Sequence, residues 1–208
     1  QESDETTHYS IIDKYGNSVS VTTTLNNSYG SKVFVEEGGF FLNNEMDDFS
    51  SKPGHPNFYG LIGSEANSIQ PGKRMLSSMT PSIILKDSKP SLIVGTPGGS
   101  TIITSVLQTI LNVYEFDMSV QEAVNAPRFH HQWLPDVVIF EEGIIDKEKD
   151  SILKSKSYFV ISLPIEVDTG GMSARSSIGA VDAILIDEEG KVSTGADFRG
   201  DDYGEILK

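Results

Sequence analysis

The sequence contains no cysteine among its 208 residues. That removes disulfides, thiolate nucleophiles and cysteine-ligated metal centres together. Basic side chains are also scarce, with 16 Lys and Arg against 30 Asp and Glu and a formal net charge of -14. Nucleic-acid binding needs a basic surface to neutralise phosphates, so that class is excluded. No apolar run approaches the roughly 20 residues of a membrane helix, and the first residues do not have the pattern of a secretory signal. Adjacent His130 and His131 lack metal-ligand spacing and no third ligand stands out. The sequence therefore predicts neither a metal nor a cofactor.

What remains is a chain that is 38% hydrophobic, enough to bury one sizeable core. Residues 8–24 read as a hairpin, two alternating runs joined by Tyr15-Gly16-Asn17. Short strands are expected over 31–35 and 39–42, and a second hairpin over 82–94 turning at Asp87-Ser88. The stripe Ile102, Ile103, Val106, Leu107, Ile110, Leu111 and Tyr114 predicts a helix over 101–114 with Ser100 as its N-cap. A short helix ending at Val124 follows, then a strand over 137–140, a polar helix over 146–156 and a strand over 158–163. A last pair of strands is expected over 179–186 and 192–196. Hairpins that bracket two helices give an α+β fold, mostly antiparallel, with two sheets and helices packed outside.

Three stretches carry chemistry. Thr6 stands at the mouth of the first hairpin. Thr-Thr at a strand start satisfies β-propensity alone. If the Glu5–Thr6 bond were broken, however, Thr6 would gain an α-amine, of reference pKa about 7.7–8.0, beside its own hydroxyl. Nucleophile and general base would then belong to one residue. Asn43-Asn44-Glu45-Met46-Asp47-Asp48 clusters carboxylates and amides where a strand emits its loop, and the Gly- and Pro-rich stretch 52–73 has the length of a lid or binding loop. Gly95-Thr96-Pro97-Gly98-Gly99-Ser100 joins a strand to a helix N-terminus. Glycines there let backbone N–H groups approach developing negative charge, which on a carbonyl makes an oxyanion hole. The Walker order is absent.

Together, Thr6-Thr7-His8-Tyr9-Ser10, Leu42 through Ser50, Leu76-Ser77-Ser78-Met79, Thr96-Pro97-Gly98-Gly99-Ser100 and Ala126 through Pro135 resemble the small subunit of the gamma-glutamyltransferases, over nearly the whole chain. The resemblance implies an N-terminal-nucleophile hydrolase, an αββα sandwich of which this chain is the small-subunit part, completed by a large subunit cut from the same precursor. Residues 1–5 would then end the large subunit and residues 6–208 form the small one, after autoproteolysis between Glu5 and Thr6. By the same resemblance Thr6 is the nucleophile, Thr24 its hydrogen-bonding partner, and Gly98 and Gly99 the oxyanion hole. Asn26, Glu45, Asp48, Ser77 and Ser78 form the γ-glutamyl site, and Tyr59 is a lid residue. The implied substrates are γ-glutamyl compounds such as glutathione, with water, amino acids or peptides as acceptors. The implied location is periplasmic or secreted. A cephalosporin acylase-like or poly-γ-glutamate-processing amidase, or a silent unprocessed proform, are the alternatives.

Overall fold

A computed structural model describes residues 6–163 and 178–207. Its centre is a four-stranded antiparallel sheet ordered β11-β10-β6-β5, from β5 (Ser82–Lys86), β6 (Lys89–Gly95), β10 (Asp182–Ile186) and β11 (Val192–Ala196). Side chains alternate across β6. Leu92 and Val94 meet Ile102 and Val106 of helix α1 (Ile102–Tyr114) and Val120 and Val124 of helix α2 (Val120–Asn125), all essentially buried. The opposite face of the sheet receives the hairpin of β1 (Thr7–Ile12) and β2 (Ser18–Thr23). Covering on both faces explains why residues 91–95 are buried throughout. The layers run hairpin, sheet, helices.

A second sheet, β7-β8-β9, joins Phe129–His130, Val137–Glu141 and Phe159–Leu163, with helix α3 (Lys147–Ser155) between its last two strands. The β8–β9 pair is parallel, so the fold is α+β with one parallel connection in an otherwise antiparallel set. Sequence pattern missed β7, which is only two residues long. The expected strands over 31–35 and 39–42 shrink to β3 (Phe34–Val35) and β4 (Phe40–Phe41), because Tyr29 and Lys32 take positive φ and bend the approach. Ser100 is not the N-cap: a 3-10 turn over Gly99–Thr101 precedes α1 and Thr101 occupies that position. Stretch 52–73 is not structureless either. Turns, a 3-10 segment Glu65–Asn67 and a Pro56–Ile62 bridge order it. Residues 1–5, the expected end of another subunit, lie outside the described residues.

Asp182, paired with Gly95 across the sheet, is an electrostatic weak point. Burial, followed by repulsion from Asp202, Asp197 and Asp201, pushes its carboxyl up from 3.8 to about 8. Between the ordinary carboxylate range and about 8 the folded chain holds a proton that the unfolded chain has lost, so this group's contribution to stability falls as pH rises through that window. Asp182→Asn is expected to raise the melting temperature, with a larger gain near pH 8.5 than near pH 4.5, on the order of a few degrees. Equal gains at both ends of a pH series of thermal melts would show that charge is not the cause.

Candidate functional site

The site is built where four segments meet. The first is the start of the hairpin. Thr6 is buried, 6% exposed, and its hydroxyl donates to Thr24 Oγ1 at 3.0 Å across the strand mouth. Thr24 Oγ1 also accepts from the Asn26 backbone N–H at 2.9 Å, which fixes the hydroxyl's position. Asn26 takes φ 78, a left-handed conformation that asparagine tolerates, and its side chain donates to the Asn44 carbonyl at 3.3 Å. That bond ties the hairpin to the second segment, the acidic 3-10 turn Glu45–Asp48.

The third segment lies in the Gly- and Pro-rich stretch 52–73. Asp47 Oδ2 accepts from Phe58 N at 2.9 Å, and Asn57 Oδ1 accepts from the backbones of Tyr59 and Leu61 at 3.0 and 2.9 Å. These bonds present Tyr59, whose hydroxyl donates to the Asn26 carbonyl at 2.6 Å. The Tyr59 ring lies directly over Gly99, where a Cβ would stand 2.9 Å from Tyr59 Cε1. The fourth segment is the glycine turn. Gly98 has φ 136 and Gly99 φ 57, both positive, and the Gly98 carbonyl accepts from Thr101 N at 3.1 Å and Thr101 Oγ1 at 2.8 Å. A side chain at either position would be strained by conformation and blocked by neighbours.

Thr6, Thr24, Asn26, Asp48, Tyr59, Ser77, Ser78 and Gly99 line one small recess with Leu61, Met79, Ser100 and Ile102. Eight of the ten residues singled out from the sequence therefore converge. Glu45 and Gly98 do not line the recess. Glu45 stands one turn from Asp48 on the same 3-10 segment, and Gly98 directly precedes Gly99. Sequence reasoning did not single out Ser100, Leu61, Met79 or Ile102 as lining; Ile102 read as helix core and Ser100 as a cap. Beyond Asp48, Leu61, Ser78 and Ser100 the recess adjoins a groove of about 430 Å³ that also touches His55, His131 and Trp133.

Electrostatically the recess is carboxylate-bearing and half-dry. Burial, then the negative charges of Glu45 and Asp47, lifts Asp48 from 3.8 to about 6. Burial also raises Glu45. A carboxylate destabilised in this way gains most from a cationic ligand. Among the described residues lining the recess there is no Lys or Arg, and no group of His, Asp or Glu among the described residues could hold a metal.

A family profile described as Gamma-glutamyltranspeptidase matches residues 1–207. The chain is 45% identical over 201 residues to the glutathione hydrolase proenzyme of Escherichia coli strain K12, covering 97% of this chain and 32% of that protein. It is likewise 45% identical over 207 residues to the proenzyme of Pseudomonas aeruginosa, covering 98% of this chain and 35% of that one. It spans about a third of the length of these curated relatives. Among solved structures, an alanine-for-threonine mutant of Helicobacter pylori gamma-glutamyltranspeptidase superposes with TM-score 0.82 at 47% identity, covering 93% of this chain and all of that chain, 100%. Pseudomonas nitroreducens gamma-glutamyltranspeptidase complexed with L-DON superposes with TM-score 0.84 at 45% identity, covering 97% and 100%. A profile match along almost the entire chain and these identities settle the family: the chain belongs to the gamma-glutamyltranspeptidases.

Proposed function

We propose that the protein containing this chain cleaves γ-glutamyl amide bonds, as in glutathione, and passes the γ-glutamyl group to water or to an amino acid or peptide amine. The observation that carries this is the convergence in one recess of a buried threonine hydroxyl, a desolvated carboxylate, two serines and a positive-φ glycine turn. Each feature answers one part of the substrate. Asp48, with Glu45 beside it, takes the α-ammonium. Ser77, Ser78 and Asn26 serve the α-carboxylate end. Backbone N–H groups at Gly98 and Gly99 receive the carbonyl oxygen as it becomes an oxyanion. Tyr59 walls the recess.

In the proposed reaction the Glu5–Thr6 bond is cut first, freeing the Thr6 amine. That amine takes the hydroxyl proton while Thr6 Oγ1 bonds to the γ-carbonyl carbon. Collapse of the tetrahedral intermediate breaks the C–N bond and delivers the proton to the departing amine, leaving an ester on Thr6. Water or an acceptor amine then cleaves the ester. Thr24, accepting from the Thr6 hydroxyl, orients it. The α-carboxylate wants a cation that the described lining lacks. This supports completion of the site by a large subunit from the same precursor, as does the chain's one-third share of its relatives. Residues 1–5 fall on the large-subunit side of the cut and residues 6–208 form the small subunit. We place the mature protein in the periplasm or outside the cell, which fractionation against a cytoplasmic marker checks.

The test of the donor site is kinetic. Asp48→Asn in the full precursor is expected to raise KM for a γ-glutamyl anilide by about 10²-fold, since a charge-assisted bond to the ammonium is worth about 1.5–3 kcal/mol. In the wild type, the fall of kcat/KM that protonation of the Thr6 amine begins at higher pH should steepen as pH drops through about 6, where free Asp48 takes up a proton and loses its hold on the ammonium. An Asn variant with unchanged KM, or with the same steepening near pH 6 as wild type, would remove Asp48 from donor recognition.

A further inference from the structure

His8 lies two residues beyond Thr6, on β1, and does not line the recess. It points from the hairpin into the core sheet and is 6% exposed. The inner face of this hairpin is polar where a sheet-on-sheet contact is ordinarily apolar. His8 stands opposite Thr22, and Ser10 opposite Ser20. His8 Nδ1 is 2.8 Å from Thr22 Oγ1 and Nε2 is 3.0 Å from Ser10 Oγ, while Ser20 Oγ donates to the Val94 carbonyl at 3.1 Å. Both ring nitrogens are thus engaged, which holds the imidazole plane. That plane rests directly on Gly95, where a Cβ would fall 2.1 Å from His8 Cε1 and 2.3 Å from Nδ1. Gly95 ends β6 and leads through Thr96 and Pro97 into Gly98 and Gly99.

From this contact we infer that His8 is a positioning residue, a spacer that sets the distance between the strand carrying the Thr6 nucleophile and the strand feeding the oxyanion glycines. The covalent path from Thr6 to His8 is two residues and from Gly95 to Gly98 three, so a shift at the His8–Gly95 contact reaches both halves of the reacting geometry. Only glycine at 95 lets the ring approach the backbone this closely. Burial lowers the imidazole to about 4, so it acts as a neutral spacer with one donor and one acceptor nitrogen at ordinary pH. Misplacing a nucleophile by about 1 Å costs on the order of 10²-fold in rate.

The inference rests on the proposed γ-glutamyl reaction, and its test separates the two. Wild type, Gly95→Ala, His8→Ala, His8→Gln and the His8→Ala/Gly95→Ala double variant are made in the full precursor. Turnover of a γ-glutamyl anilide and the time course of self-cleavage are followed. Gly95→Ala is expected to lose about 10²-fold in kcat with KM nearly unchanged. The double variant should be no slower than His8→Ala alone, because the added methyl then meets no ring. His8→Gln, which can still donate and accept, should retain more kcat than His8→Ala. If Gly95→Ala matures too slowly for kinetics, self-cleavage must show the same compensation. Wild-type kcat in Gly95→Ala, losses that multiply in the double variant, or an effect confined to KM would overturn the inference. A wild type that matures but does not turn over the anilide would instead overturn the γ-glutamyl reading, leaving the self-cleavage comparison to decide the role of His8.

Discussion

Thr6→Ala, introduced into the full precursor, should leave the Glu5–Thr6 bond intact and reduce γ-glutamyl turnover by on the order of 10⁴-fold or more, the scale on which removal of a covalent nucleophile acts. In the proposed reaction Thr6 has one role before the cut, attack of its hydroxyl on the preceding carbonyl, and two after it, one for each group: the hydroxyl carries the acyl group and the exposed amine serves as base. One substitution therefore removes both reactions, whereas Thr6→Ser keeps the hydroxyl and should retain both at reduced rate. Thr24→Ala removes the acceptor 3.0 Å away and should cost roughly tenfold, the worth of one positioning hydrogen bond. Intact mass decides the matter: wild type yields a chain beginning at Thr6 and Thr6→Ala does not. A Thr6→Ala protein that still splits at this bond would remove Thr6 from the chemistry.

Much of this site was legible in the sequence because its parts lie in short local motifs. Gly98 and Gly99 announce a turn by composition, Thr6 by its place at a hairpin mouth, and Asn43 through Asp48 by clustered polarity after an apolar run. Their convergence was carried by resemblance. Pattern alone gives no reason for Tyr59 to reach the Asn26 carbonyl across 33 residues of sequence. The second layer was not legible at all. His8 reads as one residue of an alternating strand, and nothing local says that its ring lies on Gly95. Likewise β7 is too short to show a period, and the parallel β8–β9 pair depends on a crossover that periodicity cannot see. Arg128 and Arg199 carry no role in the sequence reading, because local pattern has no means of recording partners 69 and 58 residues away.

Those two arginines carry the second large effect. Arg128, Glu141, Asp197 and Arg199 are each at most 2% exposed, and their formal charges sum to zero. Arg199 grips Glu141 through Nε and Nη2 at 2.8 and 2.6 Å and reaches Asp197 at 2.9 Å, while Arg128 Nη2 meets Asp197 at 2.5 Å. Backbone N–H groups of Arg128 and Val181 complete the carboxylates at 2.7 and 2.9 Å. Such a buried network, in which Arg128 Nε alone of the two guanidinium groups' nitrogens is left without a hydrogen-bond partner, adds little over an apolar core of equal volume, yet losing one member leaves a buried charge uncompensated, at about 3–5 kcal/mol. Arg199→Met is accordingly expected to lower the unfolding free energy by about that amount, and Arg199→Met with Glu141→Met by less than the sum of the two single changes. The effect should also reach the site. Arg128 Nη1 donates to the carbonyls of Ile178 and Gly179 at 2.9 and 3.3 Å, and a Cβ on Gly98 would stand 3.1 Å from Gly179 Cα. The network thus supports the backbone directly beneath the Gly98–Gly99 turn, and Arg128→Met should depress kcat as well as stability. Urea unfolding of the matured protein measures the first effect and anilide turnover the second. A loss of less than about 1 kcal/mol in Arg199→Met would mean that water or a shifted side chain replaces the missing cation.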